Sequence, residues 1–149
     1  MSARETLHLR LLAALEGLKT TAGVALVERN RVHDLPENAR PALVLVDGDE
    51  GAPEPGRETR AGALQLVTMR VAVLGFVRAA GPSVGTELNT LLAATQSAIA
   101  TDADLQREVG ANGAVTFDGV DVDFAQGRQT EGGFLATWQV RYTFNPANP

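Results

Sequence analysis

Phe134-Leu135-Ala136-Thr137-Trp138-Gln139-Val140-Arg141-Tyr142-Thr143-Phe144 alternates large apolar side chains with smaller or polar ones over its whole length. Strict period two is the signature of a strand with one buried and one less buried face. The run holds four of the seven aromatic residues, Phe134, Trp138, Tyr142 and Phe144, so its apolar face is expected at the centre of the core. Working backwards, Val115 and Phe117 alternate, and so do Val120, Val122 and Phe124, but the two sets are out of step across Asp118-Gly119. That offset predicts a tight turn or a bulge. Further back, Ala63 to Val77 reads as a long central strand, with Val67, Met69, Val71 and Val73 on one face and Leu66, Thr68, Arg70, Ala72 and Leu74 on the other.

Two helical patterns accompany these strands. Ser2-Ala3-Arg4-Glu5 matches a capping box, and Leu7, Leu11, Leu15 and Leu18 follow at helical spacing until Gly17, Thr20-Thr21 and Gly23 mark the exit. Leu88, Leu91, Leu92, Thr95 and Ile99 form the second stripe, entered through Gly81-Pro82-Ser83 and ending before Asp102, with Asp104 to Val109 adding a short helical turn. Between the first helix and the long strand, Val24 to Arg29 reads as a short strand, Asn30 to Arg40 as a loop, and Pro41 as the opening of a buried strand, Ala42 to Val46. Strands outnumber helices and come in hairpin-like pairs. The expected fold is α+β, a mixed, mainly antiparallel sheet of four to five strands with two helices on one face, in a single domain spanning residues 1–149.

Asp47 to Ala61 is the most loop-like segment. It carries three glycines, two prolines and five acids against two arginines, and so a large share of the net charge of −5. Such a long loop in a compact domain is usually functional or disordered.

The function classes this chemistry excludes are many. With no cysteine, disulfides, thiolate metal sites and cysteine nucleophiles are ruled out. Only 13 lysines and arginines are present, scattered, which disfavours a dedicated nucleic-acid binder. Arg10 and Glu16 interrupt the first leucine pattern, so no signal-peptide core is expected, and Arg70 and Arg78 bracket the most apolar segment, so no membrane span is expected. Synthesis in the cytosol follows. His8 is read as a partly exposed helix residue and His33 as a loop residue, neither set beside a nucleophile-elbow serine. Asp47, Asp49 and Glu50, and likewise Asp118, Asp121 and Asp123, lack the spacing of a calcium loop and are read as solvated acids. Gly81-Pro82-Ser83-Val84-Gly85 lacks the lysine of a phosphate loop. Trp138 and Tyr142 are read as core, not as base-stacking platforms.

The whole pattern resembles the tail terminator proteins of long-tailed bacteriophages and related gene transfer agents. The resemblance rests on the opening helix, the short strand ending Glu28-Arg29-Asn30-Arg31-Val32, then Leu35-Pro36, and the Pro-led strand ending Val46-Asp47-Gly48-Asp49-Glu50. It continues through the acidic loop, the long strand, the helix Glu87 to Ala100, Thr101-Asp102-Ala103-Asp104-Leu105, and the closing Arg141-Tyr142-Thr143-Phe144. It implies a structural protein with no catalytic, cofactor or metal residues. The implied form is a homo-oligomeric ring, usually of six subunits, in the neck region of the virion tail, assembled in the host cytoplasm. Such a ring caps the tail tube protein, stops its polymerisation and meets the head connector, with DNA only passing through the lumen. Other neck or tail-completion proteins share the outline, and a small enzyme or ligand-binding domain is the remaining alternative.

A closing ring needs two different complementary patches on each subunit. The candidates are a strand edge, the 30–40 loop with Arg29, Arg31 and Arg40, and the acidic loop with Asp47, Asp49, Glu50, Glu54, Arg57 and Arg60. An acidic lumen would repel phosphate, and the acidic loop is expected to line or border it.

Overall fold

The computed structural model describes residues 1–36, 38–54, 64–79, 83–124, 131–147 and 149. The elements run α1 (Ala3–Glu16), α2 (Leu18–Thr21), β1 (Leu26–Arg29), β2 (Ala42–Glu50), β3 (Gln65–Arg78), α3 (Ser83–Thr101), α4 (Ala103–Val109), β4 (Ala114–Phe124) and β5 (Glu131–Phe144). The five strands form one sheet in the order β1-β2-β3-β5-β4, antiparallel throughout except where β1 runs parallel to β2. The α+β expectation is met.

Directly opposed residues in a sheet share a face, so the register sorts the side chains. Val27, Leu43, Leu45, Val67, Met69, Val71, Val73, Phe134, Ala136, Trp138, Val140 and Tyr142 all fall on one side. There they join Leu7, Leu11, Leu15, Leu88, Leu91, Ile99, Leu105 and Val109 from the helices in one buried cluster. Phe134 lies across Gly75, where a β-carbon would come within 2.2 Å of its ring, so the glycine is a packing requirement. Phe117 meets Trp138 edge to face at 5.3 Å.

Among the described residues, no helix lies on the opposite face. It is crossed by rows such as Glu28, Val44, Leu74, Leu135 and Asp121, and Leu26, Ala42, Phe76, Gly133 and Asp123. Its middle is apolar. Leu35 and Arg40 of the 30–40 loop lie beside Val44, which accounts for burial of β2 on both sides.

Several local expectations are met and three are corrected. Asp118 is the extra residue where the register of β4 shifts between Phe117 and Gly119, and Gly119 sits at a φ of 153°, so the offset is a bulge. Ser2 accepts from the Glu5 amide as a helix cap should. The Glu5 carboxylate, however, bonds Arg29 rather than reaching back, because a guanidinium fork outcompetes a neutral amide. Secondly, the acidic loop does not begin at Asp47. β2 runs on to Glu50 past an irregularity at Gly48 and Asp49, and the Gly51 and Glu54 amides still donate to Thr68 and Leu66 of β3. Gly48 allows this, since a β-carbon there would lie 2.4 Å from the Arg70 carbonyl oxygen. Thirdly, His8 is 0 % exposed, not partly exposed.

Candidate functional site

Arg29 ends β1 on the helix-facing side, level with Leu45. Its Nε and one terminal nitrogen donate to Asp47 Oδ1 and Oδ2 at 2.8 and 2.6 Å. The guanidinium also donates to Glu5 Oε1 and Oε2 at 2.7 and 2.9 Å. One guanidinium thus ties α1, β1 and β2 together. Asn30, at a φ of 50°, turns the chain and accepts from the Asp47 amide through Oδ1. Arg29 holds the carboxyls of Asp47 and Glu5 below their ordinary values, and the two carboxylates raise the guanidinium in turn.

His8 completes the network from α1. Its Nδ1–H donates to the Arg4 carbonyl at 2.8 Å, which leaves Nε2 as a lone pair in the neutral ring. That nitrogen is buried without a hydrogen-bond partner, 3.5 Å from Asp47 Oδ1. Burial pushes the imidazole below its ordinary value, outweighing both the hydrogen bond to Arg4 and the nearby Asp47 carboxylate, which act upwards. The ring is therefore neutral at pH 7.

The other acids are held nearby. Glu50 accepts from the Tyr142 hydroxyl and lies 4.0 Å from Arg4 Nη1, while Arg4 Nη2 donates to the Gly48 carbonyl at 2.5 Å. Burial, then the Glu50 contact, raises the Tyr142 phenol far above its ordinary value. Glu54 takes both arms of Arg141 at 2.8 and 2.9 Å on the open side of the sheet. Asp49 is exposed.

Of the sequence candidates, Arg29 and Asp47 are brought into contact. Glu50 and Glu54 are each engaged by this chain's own side chains. Arg31 donates to Glu28 and to the carbonyls of His33 and Asp34, and so shapes the loop after β1. Arg40 donates to the Pro36 carbonyl at 2.6 Å, lies 3.9 Å from Glu131 and sits over the Phe76 ring. Arg31 and Arg40 share a cavity of about 320 Å³ with Leu35, Val44, Leu74 and Phe76. Arg57 and Arg60 lie outside the described residues.

Sequence reasoning missed Arg4, Glu5, His8, Arg141 and Tyr142 as partners. A signal existed for His8, which stands three residues before Leu11 and seven before Leu15, on the buried stripe.

A groove of about 560 Å³ opens on the bare sheet face beside β4. Leu74, Phe76 and Leu135 line it together with Asp121, Asp123 and Glu131, the last of these 3.9 Å from Arg40. Among the described residues, no group of three or more metal-ligating side chains is assembled, and no helix is long and apolar enough to cross a membrane.

No family model matches the chain, and no curated protein does. Among solved structures, a chain from the virion of a native gene transfer agent particle is similar at 17 % identity, with a TM-score of 0.39 and 92 % of each chain covered.

Proposed function

We propose that this chain is a structural tail terminator of a long-tailed bacteriophage or gene transfer agent. Copies close into a ring of six, seat on the finished tail tube, stop its polymerisation and present the far side to the head connector. The residue pattern from Ser2 to Phe144 that resembles such terminators supports the reading. The observation that carries it is the one-sided sheet: helices cover one face, and the other is left for neighbouring subunits. There the loop organised by Arg31 and Arg40 adjoins an acid-rimmed groove, with Arg40, Leu74 and Phe76 common to both. A heterologous, closing interface requires two complementary patches on each subunit, and the surface around that loop is the one offered for the first of them.

The acids once expected around a lumen have a second role in this reading. Asp47, Glu50 and Glu54 are engaged within the subunit, so among the described acids of this stretch Asp49 is the free member to border a channel. The test is deletion of the gene from its particle, followed by electron microscopy of the tails. Overlong tails without heads are expected. Tails of normal length that merely fail to join heads would replace the terminator reading with that of a neck or tail-completion protein.

A further inference from the structure

β4 forms one border of the sheet, and among the described residues no strand pairs with its outer side. Eleven residues of edge are long for an unprotected strand, and an unpaired edge is a template for another chain. Two features set this edge apart. Two large apolar side chains lie exposed along it on the helix-facing side, Phe117 at 39 % and Val122 at 44 %. On the bare face it carries Asp121 and Asp123, both exposed and in no ion pair with a described residue, while Asp118 at the bulge accepts from Gln139. Ala114–Phe124 contains no lysine or arginine at all.

These features select against this chain's own edges. Two β4 strands paired with each other would bring rows of aspartates together, and like charges across a strand pair are destabilising. β1, the other border, spans only Leu26–Arg29, with Glu28 on its bare-face side and Arg29 already held by Glu5 and Asp47. Neither supplies a free cation.

We infer that the outer edge of β4 is a docking site for an extended, basic segment of another protein, added to the sheet as a sixth strand. Its residues beside Asp121 and Asp123 are lysine or arginine, and the residues between them are β-branched and apolar, lying beside Val122 and Phe117. A long cation on the added strand, level with Asp121 or Asp123 on the bare face, lies directly beside that carboxylate, about one strand spacing away. Main-chain hydrogen bonds supply affinity and the alternating side chains supply register.

The inference extends the terminator reading to the chemistry of a neighbour in the particle, but it stands whether or not copies close into a ring. The test uses the full chain and a fluorescein-labelled ten-residue peptide of alternating lysine and valine, followed by anisotropy, with a glutamate–valine peptide as control. The expected results are saturable binding of the basic peptide alone, amide-exchange protection of residues 114–123 on binding, and weakening by about tenfold or more in D121K/D123K. Both substituted side chains are exposed, so the variant keeps its fold, which circular dichroism verifies. Equal binding of the acidic peptide, unchanged binding to D121K/D123K, or protection mapped elsewhere would each overturn the proposal. So would protection of 114–123 in an oligomer of the protein alone, since the occupant would then be a second copy. Light scattering of the same sample without peptide reports ring formation separately.

Discussion

Replacing Arg29 with methionine keeps the aliphatic stem and removes four hydrogen bonds to two carboxylates. An exposed ion pair contributes about 0–1 kcal/mol, whereas breaking a buried one costs about 3–5 kcal/mol because the abandoned charge stays buried. The Arg29 side chain is 19 % exposed and that of Asp47 27 %, between the two limits, so the Asp47 half alone should cost about 2–3 kcal/mol. In a domain of this length that is a fall in Tm of roughly 4–12 °C, read by circular dichroism or calorimetry. A second signature separates this account from simple loss of packing. With Arg29 gone, a protonated His8, whose Nε2 already lies 3.5 Å from Oδ1, supplies a cation to Asp47. Loss of Arg29 also removes one of the charges that depress His8. The stability deficit of Arg29→Met should therefore be smaller at pH 5.5 than at pH 8, and adding His8→Leu should abolish that difference. A fall of under about 2 °C, or a deficit independent of pH, would refute the reasoning.

Other expectations follow from the same geometry. The folded-state value of His8 is lowered from 6.5 by burial, so the unfolded chain binds more protons below that value; its contribution to stability is present above pH 6.5 and is lost as pH falls towards the folded value. His8→Leu, which removes the unpartnered Nε2, should flatten the pH dependence of Tm in that window with little loss of stability at pH 8. Asp47 and Glu5 are lowered by Arg29, so their contribution is present above their ordinary values and is lost at more acidic pH, a second and separate phase in acid titration. Gly75→Ala must push the buried Phe134 ring aside and should cost about 1–3 kcal/mol in urea unfolding. Arg141→Gln severs an exposed pair with Glu54 and should shift Tm much less than Arg29→Met, with a shift that shrinks as salt is added.

Much of the fold was legible because alternation is a local signal. Phe134 to Phe144 declared which of its faces was buried, Ala63 to Val77 separated its two faces, and the break in phase across Asp118-Gly119 marked a turn or a bulge, which the register resolves as a bulge. The end of β2 was not legible. Asp47-Gly48-Asp49-Glu50 has the composition of a turn, and what keeps it in the sheet lies far away in sequence: Arg29 and Asn30 for Asp47, Tyr142 and Arg4 for Glu50. The same distance hid the ionic network. Arg29 follows Val27 by two and so points inward, but only the parallel pairing of β1 with β2 sets it between Glu5 and Asp47. The spacing of His8 to Leu11 and Leu15 did carry its burial, and a histidine on an apolar stripe reads too easily as a surface residue.

A terminator works by fitting copies of itself and its neighbours together. Light scattering across a chromatographic peak of the purified protein, at rising concentration and with and without tail tubes, tests that most directly. A closed species of six subunits, formed alone or on the tube ends, is the predicted result. A mass that stays at one subunit in both conditions would contradict it.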